Sequence, residues 1–223
     1  MIAETRQCIM TAQTLTPSRI PIVLCPLHFE AKALGALHDS GAMEVRVVGP
    51  GPDAIGAAVE DQDDARPLIL AGLATSLRDE LHGGQAAWID AIHGVEHRPT
   101  LGIGPTAPRV NAVQVGSVLR TQAERTKVAC ASNAALADME CAAFAVAASK
   151  RSGPWGIVRG ISDTGSDVLP PVGDWVDAQG RTRVARAAAH LLFHPWQAMA
   201  VLGLARTSAT AMRSVLSLLR ALE

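Results

Sequence analysis

Short, unbroken apolar runs that each give way to a segment of helical spacing constrain this chain more than any other feature. "RIPIVLCP" (residues 19–26) precedes "HFEAKALGALHDSG", and "MEVRVVGPGP" (43–52) precedes "DAIGAAVE". "RPLILAGLATSL" (66–77) and "WGIVRGIS" (155–162) have the same character. A strand with one wet face alternates apolar and polar residues; "RIPIVLCP" does not, so both of its faces are expected to be buried, and "MEVRVV" reads as a second strand. Strands alternating with helices then predict an α/β fold, a mixed and largely parallel central sheet with helices on both faces. Ligands in such sheets collect at the carboxyl ends of the strands. Four places fall at such ends: Glu30, the turn at 49–52, a small-residue segment at 71–76 read as a loop, and Asp163.

The remainder divides into recognisable stretches. Residues 1–18 read as an N-terminal extension, 19–181 as one α/β domain, and 182–223 as a helical tail packed on the domain or on a partner. The middle, 82–108, is rich in glycine and histidine, and strands are expected near 99–103 and 112–118. "TQAERTKVACASNAALADMECAAFAVAASK" (121–150) reads as helix, break, helix, with Asp138 as the N-cap of the second helix and Glu140 in its first turn. The tail is expected to be two apolar helices separated at His194-Pro195.

Bulk properties exclude several classes. Twenty basic against 21 acidic residues leave a net charge of −1, with no basic run to grip a polyanion, so nucleic acid is not an expected partner. The most apolar window, "LLFHPWQAMAVLGLA", is broken by His194, Pro195 and Gln197 and falls short of the roughly 20 residues of a spanning helix. Four cysteines without a CxxC pair, and no charged-then-apolar leader, point to reduced thiols in a cytoplasmic protein. His190 and His194 share a helical spacing, but no HExxH pattern accompanies them and Pro195 follows, so no metal is expected. "GPGP" is not GxGxxG, and no nicotinamide or other cofactor is implied.

The carboxylates carry the chemistry. Asp163 ends an apolar strand, where burial raises a carboxyl pKa and lets it hold a proton near neutrality. Its alternative role is to cap the following turn. Glu140 near a helix N-terminus is suited to accept two hydroxyl hydrogen bonds, as from a sugar diol, with Met139 packing on the ring.

With those residues in view, "DMECAAFAVAASKRSGPWGIVRGISD" resembles the signature of the nucleoside phosphorylase and 5′-methylthioadenosine/S-adenosylhomocysteine nucleosidase superfamily. "PLHFEAKAL" (26–34) is similar to its first strand–helix junction, and "SDTGSDVLPP…DAQGRTR" followed by an apolar tail looks most like the hopanoid-associated phosphorylases. The resemblance implies an enzyme cleaving the N-glycosidic bond of a purine nucleoside to release adenine. Asp163 would meet the purine N7, with Ser162 orienting it; Glu140 and Met139 would hold the ribose; Glu30 would activate the attacking water. Leu119 falls where many relatives carry an aromatic ring over the base, and an aliphatic contact there is weaker.

The resemblance favours phosphate over water as the nucleophile, with hydrolysis as the alternative. Gly72, Thr75 and Ser76 in the 71–76 segment offer amides and hydroxyls for phosphate as a co-substrate, and the subgroup implies phosphorolysis of a lipid-linked nucleoside such as adenosylhopane. Ile69 and Leu70 stand where phosphorylases commonly place an arginine, and Glu30 would repel phosphate, which implies hydrolysis. Arg46 is a candidate to reach a neighbouring subunit's site. A non-catalytic nucleoside-binding protein is a further alternative. The family implies a homo-oligomer, a dimer above all, and the apolar tail suits either that contact or peripheral contact with a membrane.

Overall fold

The computed structural model describes residues 20–62, 65–105, 107–165 and 167–223; the expected N-terminal extension lies outside them. Seven strands form one sheet in the order β2-β1-β3-β6-β5-β4-β7, and β7 also pairs with β3. These are β1 (Ile22–Cys25), β2 (Glu44–Val47), β3 (Leu68–Ser76), β4 (Ala86–Ile92), β5 (Arg109–Gln114), β6 (Leu136–Asp138) and β7 (Trp155–Asp163). The β3–β7 pairing closes β3, β6, β5, β4 and β7 into a ring, with β1 and β2 extending from it. Pairing is parallel except for β3 with β6 and β4 with β7, a mixed sheet as expected.

Strict alternation on doubly buried strands builds two cores. Ile22, Leu24, Leu68, Leu70, Ile157 and Ile161 face α3 (Pro52–Glu60) and α5 (Cys141–Ala148). Val23, Cys25, Ile69, Ala71 and Val158 face the opposite layer, α1 (His28–Ala33), α2 (Gly35–Asp39) and the second half of α7 (Ala198–Arg220). The helix α4 (Gln122–Ser132) covers a smaller cluster of Val113, Leu119, Ala134 and Ala137.

Three expectations need correction. Residues 71–76 are not a loop, because β3 continues through Ser76 with its backbone paired to β7 and β6. In the middle, β4 occupies 86–92 where no strand was placed, and 99–103 is irregular, its Thr100 and Leu101 amides bonding the Trp155 carbonyl. Between α4 and α5 stands β6, not a simple break: Leu136–Asp138 pairs with β5 and β3, and that ladder overrides the helix propensity of the surrounding alanines. The second helix therefore begins at Cys141, with Glu140 as its flanking residue and Asp138 at a strand end.

The tail folds as α6 (Val184–Phe193), a short 3₁₀ turn at Pro195–Gln197, and α7. Ala211, Met212, Val215 and Leu219 of α7 are fully buried. A Cβ on Gly160 of β7 would sit 2.9 Å from the Ala211 Cβ and 3.0 Å from its carbonyl, so the two backbones are already at contact. Gly203, earlier in α7, has nothing within 4 Å of a Cβ position. Alanine at the two sites should therefore act in opposite directions. Gly160→Ala is expected to cost roughly 1–3 kcal/mol through overpacking, and Gly203→Ala to gain up to about 1 kcal/mol from helix propensity. Urea unfolding of both variants checks this; equal effects would mean that α7 does not pack on β7 as described.

Candidate active site

Glu30 enters the site through a local helix-start rule. It is the third residue of α1, where a glutamate can turn back on the N-cap, and its Oε2 accepts the Leu27 amide at 2.9 Å. Its Oε1 accepts the Leu73 amide from β3 at 2.8 Å. The carboxylate is thus pinned over the carboxyl half of β3 with only 2% exposure. Burial pushes its pKa up to about 7, against the downward pull of Arg159 and the two amides.

Beside it lies the residue that the sequence reading passed over as a participant. Arg159 stands on β7 between Ile157 and Ile161, at a position that strand alternation assigns to the core, and it pairs in register with Gly72. Its Nε donates to Asp138 Oδ2 at 2.5 Å and its Nη2 to Glu140 Oε2 at 3.3 Å. The remaining nitrogen, Nη1, is buried without a hydrogen-bond partner among the described residues. A Cβ on Gly72 would come within 2.6 Å of Nη1 and 2.8 Å of Glu30 Oε1, so the glycine makes room for both groups. The legible signal was an arginine inside an otherwise apolar strand.

Two helix starts complete this group. Asp138 Oδ1 accepts the amides of Glu140 (3.3 Å) and Cys141 (3.0 Å), so it caps α5 from the end of β6. Glu140 Oε1 accepts the Gly51 amide at 3.0 Å. Gly51, at φ +97°, begins α3, and the glycine turn exists to aim that N–H. Burial, with Asp138 close by, raises the Glu140 pKa against the opposing pull of Arg159.

A second station lies further along the same strand pair. A register shift after Ala74 sets Asp163, not Ser162, opposite Thr75. Asp163 Oδ2 accepts from the Thr75 hydroxyl and from Arg125 Nη2 at 2.9 Å, and Oδ1 accepts from the Ser162 hydroxyl at 2.5 Å. Arg125, on α4, is 2% exposed and also donates to Thr75 Oγ1 and to the Asp167 carbonyl. Burial raises the Asp163 pKa; the two hydroxyls and Arg125 oppose that rise. Arg125 was also missed, for it sits in a helix of polar composition with nothing local to mark it.

The other expected site residues are distributed as follows. Met139 is half-buried between Asp138 and Glu140. Ser76 is buried and its hydroxyl bonds the Arg78 carbonyl and amide, and the Gly72, Thr75 and Ser76 backbone belongs to a strand, not to the loop expected. Leu119 is buried in the small cluster under α4. Arg46 is paired with Glu44 at 2.5 Å and bonds Gln62 at 2.6 Å. A surface hollow lined by Ile20, His38, Met43 and Arg66 opens at the amino-terminal end of β2, away from the carboxylates.

No protein-family model matches the chain, and no curated protein matches it. Solved structures do. Futalosine hydrolase of Helicobacter pylori strain 26695 superposes with a TM-score of 0.62 at 11% identity, covering 92% of this chain and 97% of that one. The chain shares the fold of that structure. S-adenosylhomocysteine nucleosidase of Streptococcus pyogenes, in complex with 5-methylthiotubericidin, gives 0.62 at 16% identity, with 93% and 97% covered. The 5′-methylthioadenosine nucleosidase of Arabidopsis thaliana gives 0.61 at 12% identity over the same shares. At such identities the likeness is one of fold, and the chemistry rests on the residues above.

Asp138 is assigned to architecture. Removing it strips Arg159 of its shortest ion pair and uncaps α5, and breaking a buried pair from one side costs roughly 3–5 kcal/mol. Asp138→Ala should lose stability of that order in chemical denaturation. A loss under about 1 kcal/mol would mean that Arg159 is not anchored through Asp138.

Proposed function

We propose that this protein cleaves the N-glycosidic bond of an adenosine-type purine nucleoside, releasing adenine, with water as the nucleophile. One observation carries the reading: a buried carboxylate whose pKa is raised to about 7 and a guanidinium nitrogen unpartnered among the described residues flank the space beside Gly72 that a Cβ would enter. An oxygen placed between them receives a hydrogen bond from Arg159 and gives a proton to Glu30. That is the requirement for activating water.

The second station supplies the other half of the reaction. Gly72 and Thr75 are three residues apart on β3, which is about 10 Å along a strand, the scale of a nucleoside laid from sugar to base. Bond cleavage at C1′ leaves positive charge on the sugar and negative charge on the base, as in glycoside hydrolysis. Asp163 gives its proton to the purine N7 while the C1′–N9 electron pair moves onto the base. The water oxygen bonds to C1′, and its proton passes to Glu30. Glu140, held by Gly51 and Arg159, is placed to accept the ribose hydroxyls, and its negative charge favours the cationic sugar. The hydrolases and nucleosidases among the structural neighbours support this assignment. A phosphate dianion would instead meet Glu30, Glu140 and Asp138 against one arginine.

The 5′ end of the substrate is read from what borders the site. The turn at 177–181 lies against the start of α1, which carries Glu30, and against the turn before α3, which bonds Glu140: the Gly180 carbonyl accepts the His28 amide at 3.0 Å, and the Ala178 carbonyl would lie 2.6 Å from a Cβ on Gly49. α6, with its exposed apolar side chains, begins three residues beyond. This border favours a substrate with a bulky apolar 5′ group, a lipid-linked nucleoside such as adenosylhopane, over a small polar one.

Adenine release should be measured from 5′-methylthioadenosine and from adenosine carrying a large apolar 5′ group, each with and without phosphate. Release without phosphate is expected, faster for the apolar substrate. A strict need for phosphate would replace water in the scheme, and no release from either would overturn it. For the active substrate, kcat/KM should fall as pH drops through about 7, where Glu30 takes up a proton. Asp163→Asn, which cannot give a proton to N7, should lower kcat by about 10²–10⁴-fold.

A further inference from the structure

α6 is ten residues long and contains no buried residue. Helices of that length are marginal in water unless an apolar face is covered. Val184, Leu192 and Phe193 on α6, and Trp196 and Met199 just after it, are each more than 70% exposed. Trp196, Met199 and Leu202 recur every third residue and so share one side of the chain entering α7. Lateral support comes from another side, where His190 packs on Trp175 and its Nε2 pairs with Gln197. The second half of α7 is core, whereas this shoulder carries residues of the same apolar character to the outside.

The charge carried by the segment that forms the shoulder has one sign, between Asp177 before it and Glu223 after it. Residues 178–222 include six arginines, Arg181, Arg183, Arg186, Arg206, Arg213 and Arg220, and no aspartate or glutamate. All six are exposed. Acidic groups lie just upstream at Asp174 and Asp177; Asp177 is engaged by the Gln179 and Arg181 amides of its own turn. A second copy docked through this face would oppose like charges, whereas an anionic lipid surface attracts them. Trp, Phe, Leu and Met interleaved with arginines, whose stems can lie along apolar surface, are the composition of helices that rest in a bilayer interface.

We propose that the α6–α7 shoulder is a peripheral docking surface for an anionic membrane, independent of the reaction assigned to the carboxylates. No helix among the described residues is long and apolar enough to cross a membrane, so the contact is with one leaflet. The full-length protein should float with vesicles of phosphatidylcholine containing phosphatidylglycerol, more weakly with phosphatidylcholine alone, and less as salt is raised. Trp196→Glu combined with Met199→Glu should weaken binding by about tenfold or more, and Arg183→Gln with Arg186→Gln should weaken only the anionic preference. Both variants should keep the wild-type circular dichroism melt. Failure to float with either vesicle, or flotation untouched by Trp196→Glu and Met199→Glu, overturns the proposal. So does a dimer in sedimentation that those two substitutions split, for the shoulder would then be covered by a second copy.

Discussion

The buried guanidinium of Arg159 is the constraint to which the rest of the site answers. A charge removed from water costs several kcal/mol and is tolerated only with partners of good geometry. Asp138 and Glu140 supply them at 2.5 and 3.3 Å, from the end of β6 and the start of α5. Glu30 stands close but is tied to two amides rather than to the arginine. Burial raises all the site carboxyls whose shift is resolved, Glu30, Glu140 and Asp163, and Glu30, which has no direct ion pair, rises to about 7. Acidic groups of one kind thus acquire different settings, an ion-paired anchor at Asp138 and, in the proposed reaction, the proton acceptor at Glu30.

The β3–β7 pair sets the spacing of the chemistry. Gly72 faces Arg159 at one point of the register, and Thr75 faces Asp163 at another. The irregularity between them substitutes Asp163 for the serine that uninterrupted pairing would place opposite Thr75. Closure of the ring through this same pair buries both stations, and burial raises the Asp163 pKa despite Arg125 at 2.9 Å. Fold and reactivity are therefore coupled through one ladder. Whatever loosens β3 from β7 moves both ends of the site together.

The C-terminal segment serves two purposes along one helix. From Ser208 onward α7 closes the second core, with Gly160 allowing its backbone to touch β7. Before that point its apolar residues face outward and continue the surface begun by α6. Arginines at 206, 213 and 220 stay in water throughout, so a single amphipathic pattern anchors the helix inside and presents a shoulder outside.

The sequence by itself determined the layered sheet, the sites of most helices, the position of Asp163 at a strand end and the division of the tail at His194-Pro195. Each of these follows from local periodicity or from a residue that stops it. Glu30 was also legible, since it follows closely on the carboxyl end of the first apolar run, where ligands of such sheets collect. The tertiary structure alone decided that 136–138 is a strand, that 71–76 continues one, and that β4 lies at 86–92, because such short segments take their state from the neighbours that complete their hydrogen bonds. It alone brought Arg159 to Glu30 and Arg125 to Asp163, separated by 129 and 38 residues of chain respectively. Those charges are stable only because other elements surround them, and no local pattern records which carboxylate a distant strand or helix will deliver.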